Sequence, residues 1–123
     1  MIIRELNGIK PKFGKDCFLA ENCVVIGNVI MGYQCSIWYN AVVRGDVHYI
    51  KIGNKVNIQD GVIIHATYKT SPTNIGNNVS IGSNATILPV NICDNAVIGA
   101  GAIVTKDILE PGVYVGNPAK RIQ

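Results

Sequence analysis

The chain's 2 histidines, His48 and His65, are its only imidazoles, and imidazole is the group most often used to move a proton near neutral pH. His65 opens a polar stretch, His-Ala-Thr-Tyr-Lys-Thr-Ser-Pro-Thr-Asn over residues 65–74, so it is the better placed of the two to meet a ligand. Arg44 and Asp46 flank Gly45, and a planar guanidinium suits a fixed carboxylate partner. Gln59 adds an amide that can both donate and accept. Cys17, Cys23, Cys35 and Cys93 could form disulfides or pack as small apolar groups.

The elements that must position these groups are written as a repeat. One aliphatic site recurs at a spacing of six: Phe13, Leu19, Val25, Met31, Ile37 and Val43, then Ile52, Ile58 and Ile64, then Ile75, Ile81 and Ile87, then Ile92, Ile98 and Val104. Call it position one. Position five holds smaller residues: Cys17, Cys23, Val29, Cys35, Ala41, Val47, Val56, Val62, Val79, Ala85, Ala96, Ala102 and Ile108, with Tyr68 and Asn91 as exceptions. Position four is rich in Asn, Asp and Gly (Asp16, Asn22, Asn28, Asn40, Asp46, Gly61, Asn78, Asn84, Asn95, Gly101, Asp107), the types that tolerate a left-handed backbone or tight corner.

A helix of 3.6 residues per turn cannot keep such a column on one face, whereas a short strand followed by a corner can. The pattern therefore predicts an all-β parallel solenoid, one domain over residues 1–123. Its fifteen hexads make five triangular coils, and residues 1–12 cap the first. Both long interruptions, Val43 to Ile52 and Ile64 to Ile75, follow a complete set of three hexads. Residues 65–74 are expected to bulge from one edge.

Neighbouring coils stack residues of the same hexad position. Cys17 and Cys35 stack in this way, and a disulfide between them is geometrically possible. Cysteine as a small inward filler accounts for Cys17, Cys23 and Cys35 together. Cys93, at position two, faces outward.

Composition narrows the classes of function. Apolar residues make up 48% of the chain and charged residues 15%, which argues for a packed core and against disorder. The net charge of +3 comes from 11 basic and 8 acidic residues with no basic block, which argues against nucleic acid as a partner. No apolar run approaches the ~20 residues of a membrane span. The expected compartment is the cytoplasm, with its cysteines as thiols.

The run Val43-Arg44-Gly45-Asp46-Val47-His48, followed by Ile52-Gly53, Asn57-Ile58-Gln59-Asp60-Gly61 and Ile64-His65, resembles γ-class carbonic anhydrases and their trimeric homologues. The resemblance extends from near Phe13, through Ser36-Ile37-Trp38, to about Ile92. It implies a left-handed parallel β-helix, a hand the repeat alone leaves open because crossovers between parallel strands are normally right-handed. It also implies a homotrimer with a zinc or similar ion held between subunits by three histidines. Of these, His65 matches the first. Ser83, in Ile81-Gly82-Ser83, stands at the second, and Leu88, after Ile87, at the third.

Leucine has no lone pair and serine is a poor neutral ligand, while a catalytic zinc wants about three protein ligands. The expectation is therefore a degenerate metal site with no tightly held ion or other resident cofactor, and no efficient CO2 hydration. The resemblance further implies an intersubunit ion pair of Arg44 with Asp46 and places Gln59 near the reacting centre. Trp38 and Ile26 occupy outward positions that subunit contact would cover.

The closing segment, from Ala96-Val97-Ile98-Gly99-Ala100-Gly101-Ala102 through Val104-Thr105-Lys106-Asp107-Ile108 to Val115-Gly116-Asn117-Pro118-Ala119-Lys120, is similar to hexapeptide acyltransferases. That similarity implies acetyl-coenzyme A as a ligand. Backbone amides of residues 99–102 would hold the pantetheine, Lys106 and Lys120 the phosphates, and His65 or His48 would be the base for a small-molecule acceptor. Three functions follow as alternatives: a γ-carbonic-anhydrase-like protein without its metal chemistry, a coenzyme A-dependent acyltransferase, and a metalloenzyme with an altered ligand set.

Overall fold

A computed structural model describes residues 1–66 and 71–123 as β-strands and turns, with no helix among them. Most hexads form a two-residue strand ending on the position-one aliphatic, as at Ser36–Ile37, Asn57–Ile58, Ser80–Ile81 and Val97–Ile98. Each such strand pairs in parallel with its equivalent one coil away, so Ile37, Ile58, Ile81 and Ile98 stack in register. The first face stacks Phe13, Met31, Ile52, Ile75 and Ile92, and the third stacks Val25, Val43, Ile64, Ile87 and Val104. The result is a β-solenoid of about five turns. Its core is the inward columns, with Ile37, Ile58, Ile64, Ile81 and Ile87 at 0% exposure.

The corner between the third and first faces departs from the six-residue rule. Gly27 pairs with Gly45 but Val29 with Ile50, so Asn28 alone lies opposite Asp46, Val47, His48 and Tyr49. The longer corner turns Val47 outward, to 48% exposure, and Ile50, at 0%, takes the inward place expected of Val47. One coil from the top the same corner is short, and Val90 is buried where the spacing put Asn91. Ile108 does not close the fifth coil at position five. It bridges to Ile92 and leads a further partial coil.

The other two corners turn through a left-handed residue in nearly every coil. Asp16, Asn40, Asn78, Asn84 and Asn95 have φ between 57° and 65°, as their types predict. Gln34 and Lys55 adopt φ 55° and 56° without the favoured residue type, because the coil geometry overrides a preference of about 1–2 kcal/mol. Asn22, Asn28, Asp46 and Asp107 stay at negative φ, and all but Asn28 bond through their side chains instead. Asn22 Oδ1 accepts from Asn40 N at 3.0 Å, for example.

Both ends of the stack are covered. Below the first coil, Ile2–Arg4 pairs with Val24, Val25 and Ile26. Above the last, Val113–Val115 is followed by Lys120–Arg121, which pairs antiparallel and stops the parallel ladder from continuing. Of the stretch expected to bulge, Tyr68 and its neighbours at 67, 69 and 70 lie outside the described residues, while its ends are strands, Ile63–His65 and Thr73–Ile75. No helix among the described residues is long and apolar enough to cross a membrane.

All four cysteines are free thiols. Cys35 Sγ donates to Gly53 O at 3.1 Å and Cys17 Sγ to Gly32 O at 3.2 Å. Burial pushes the thiols of Cys23 and Cys35 above their ordinary pKa. A thiol harder to ionise in the fold than in the open chain contributes stability that is complete below the unfolded value of about 8.5 and is lost as pH rises through the folded value. The thermal midpoint should therefore fall as pH rises above about 8. A chromogenic thiol reagent should modify the half-buried Cys17 and Cys93 before Cys23 and Cys35.

Candidate functional site

The outward column of the third face runs Ile26, Arg44, His65 by direct pairing, and Leu88, next after the Ile87 that pairs with Ile64, stands beside His65. His65 is half-buried. On the second face Gln59 and Ser83 meet, Ser83 Oγ lying 3.4 Å from Gln59 Oε1. His65 and Leu88 thus share one face and Ser83 another, as their spacing implies.

These side chains do not suit a zinc site. Leu88 offers carbon where a donor is needed, and the Ser83 hydroxyl is engaged with Gln59. His48 stands in the long corner, where its Nδ1 accepts from Tyr49 N at 2.9 Å. In the neutral ring the proton then lies on Nε2.

Arg44 and Asp46 pair within the chain, Nη2 to Oδ2 at 3.0 Å and Nε to Oδ2 at 3.3 Å. With their side chains 50% and 23% exposed, the pair is worth no more than about 1 kcal/mol. Asp46 Oδ1 is buried with no partner. Trp38 is largely covered by its own chain: Nε1 donates to Asn57 Oδ1 at 2.8 Å, and the ring packs on Phe18 with centroids 4.8 Å apart.

The backbone cradle expected at residues 99–102 is occupied internally. Gly99 N donates to Tyr114 O at 2.8 Å, Gly101 N to Ser83 O at 2.8 Å and Ala102 N to Gly99 O at 3.2 Å. Stacked coils spend these amides on one another, which the sequence similarity alone does not reveal. Lys106 and Lys120 are exposed, Lys106 ahead of the last partial coil and Lys120 on the antiparallel closing strand.

The first face carries a feature that no catalytic residue type marks in the sequence. Lys51 pairs with Asn74 and Asn74 with Asn91, making a polar edge in which Asn74 Nδ2 donates to Asn91 Oδ1 at 3.0 Å. Beside it runs a glycine floor, Gly53 and Gly76, and beyond that a ladder of side chains. Tyr33 N donates to Asn54 Oδ1 at 3.0 Å, Asn54 N to Asn77 Oδ1 at 2.8 Å and Asn77 N to Asp94 Oδ1 at 2.7 Å.

Between edge and ladder lies a groove of about 390 Å³ that ends against Ile108 and Leu109. A second, of about 360 Å³, shares Lys51 and Asn74 as a common wall, and the two adjoining grooves make a trough in two parts. Its sequence signal was available: glycine at position two of successive first-face hexads (Gly14, Gly32, Gly53, Gly76), followed at the last two by asparagine.

Stacked hexad coils with this edge define a hexapeptide-repeat β-solenoid, and comparison with known proteins agrees. The profile for the hexapeptide repeat of succinyl-transferase matches residues 72–106. The maltose O-acetyltransferase structure from Clostridium difficile is 33% identical, with a TM-score of 0.78 over 90% of this chain and 69% of that one. The chain belongs to the hexapeptide-repeat family. A galactoside acetyltransferase in complex with coenzyme A is 32% identical, with a TM-score of 0.84 over 91% of this chain and 64% of its own. Gamma carbonic anhydrase 2, mitochondrial, of Arabidopsis thaliana is 44% identical over 73 residues, 55% of this chain and 26% of that protein. The chain spans less than half the length of the curated relatives it matches.

Proposed function

We propose that this protein is a coenzyme A-dependent acyltransferase acting on a small-molecule acceptor, built on a frame shared with γ-class carbonic anhydrases but without their metal chemistry. The observation that carries this reading is an imidazole, His65, without fellow ligands, in a solenoid whose first face holds two adjoining grooves with a cation and two amides along their shared edge. The relative in complex with coenzyme A supports that cofactor as the ligand.

In this reading Lys51 faces the phosphates and the amides of Asn74 and Asn91 meet those of the pantetheine arm. His65 takes the proton from the acceptor hydroxyl or amine as that atom bonds to the thioester carbonyl carbon. The C–S bond then breaks, and the proton passes to the leaving thiolate. A homotrimer goes with the same reading. The third face turns Ile2, Val24, Val42, Ile63 and Ile103 outward, with Ile2 at 49% and Ile63 at 40% exposure. Arg44, Asp46 and Trp38 would lie at or near its contacts.

The test is twofold. Acetyl-coenzyme A with a panel of hydroxyl and amine acceptors should release free thiol, while protein prepared with zinc should carry less than about one ion per ten chains and hydrate no CO2 above background. A stoichiometric ion with CO2 hydration overturns the proposal. Neither activity leaves a non-catalytic scaffold.

A further inference from the structure

We propose that Thr73 is a positioning residue that holds His65 in register with the trough, an inference that rests on the acyl-transfer reading of that site. Thr73, at 0% exposure, is the one fully buried polar side chain among the described residues. It stands in a column where the other coils use aliphatics. Ile50 pairs with it and Val29 with Ile50, Val90 follows on the next coil, and all three are buried. A valine would fill the same space, so packing does not call for a hydroxyl.

Burying that hydroxyl is unfavourable unless it is bonded, and its partner is specific: Oγ1 donates to the backbone carbonyl of His65 at 2.8 Å, across eight residues of chain. The bond joins the end of Ile63–His65 on the third face to the start of Thr73–Ile75 on the first. The next residue, Asn74, lines both halves of the trough. The hydroxyl thus ties the His65 carbonyl to the strand that lines the trough and sets where the His65 backbone sits relative to Asn74.

The test compares Thr73→Val with Thr73→Ser. Because valine occupies the column in other coils, Thr73→Val should fold, with an unchanged circular dichroism spectrum. Its kcat for acyl transfer should fall about tenfold or more while the KM for acetyl-coenzyme A stays within about twofold. Its His65 ring resonances should shift or broaden in proton–carbon NMR spectra, and Thr73→Ser should restore both readouts. Wild-type NMR behaviour in Thr73→Val overturns the inference, as does equal impairment in Thr73→Ser, which would assign the effect to the methyl group. If the wild-type protein transfers no acyl group, the acyl-transfer reading fails by itself and the NMR comparison still decides whether Thr73 positions His65.

Discussion

Replacing His65 with asparagine should lower the rate of the proposed acyl transfer by about a hundredfold to ten-thousandfold, the range a positioned general base contributes. The side chain is half-buried on an outward column, flanked by Arg44 and Leu88. The change therefore removes no core packing, and folding and coenzyme A affinity should stay near wild type. No second imidazole stands on that column to take over, because His48 sits in the long corner with Nδ1 already accepting from Tyr49 N. The corresponding His48→Asn change should leave the rate within about threefold. Thiol-release kinetics on both variants make the comparison. A His65→Asn enzyme as fast as wild type would remove His65 from the chemistry.

The second large effect is on the fold. In Gly76→Val, the new Cβ would sit 2.7 Å from the backbone N of Asp94 and 3.0 Å from the carbonyl carbon of Cys93 in the coil above. That coil is held by the hydrogen bond from Gly76 N to Ile92 O at 2.8 Å and cannot retreat alone. A clash with backbone is overpacking at its most costly, about 3 kcal/mol or more, a large part of a domain's usual stability. Gly101→Ala provides the contrast. Nothing lies within 4 Å of its added Cβ, and only φ 71° opposes it, so about 1 kcal/mol is lost. Urea midpoints should rank wild type above Gly101→Ala, and Gly101→Ala well above Gly76→Val. The reverse order would mean that coil spacing is softer than the glycine floor implies.

That contrast also shows what the residues disclose in advance. The position-one column from Phe13 to Val104 revealed the solenoid because a two-residue strand and a corner admit no other period. The corner holding Asp46, Val47 and His48 departs from the six-residue pattern because a β-bulge adds residues without changing their types, so Val47 reads as inward while Ile50 takes that place. Solenoid hand was open for a different cause: an inward period is the same in either sense of winding.

At the candidate site, Leu88 beside His65, with Ser83 on a different face, is legible from hexad arithmetic, whereas the meeting of Ser83 with Gln59 is not, because the spacing stacks Gln59 on Gly82. The trough was not, since its walls are backbone, glycine and amide ladders, which look like ordinary corners until the coils are stacked. Thr73 was equally silent, because threonine is common in strands and only its burial among aliphatics exposes it.

Calorimetric titration with acetyl-coenzyme A needs no knowledge of the acceptor and bears on the thioester directly. One saturable site per chain is predicted, with a dissociation constant below about 1 mM, weakened several-fold by Lys51→Ala. No saturable heat up to about 5 mM would contradict acyl transfer on this frame.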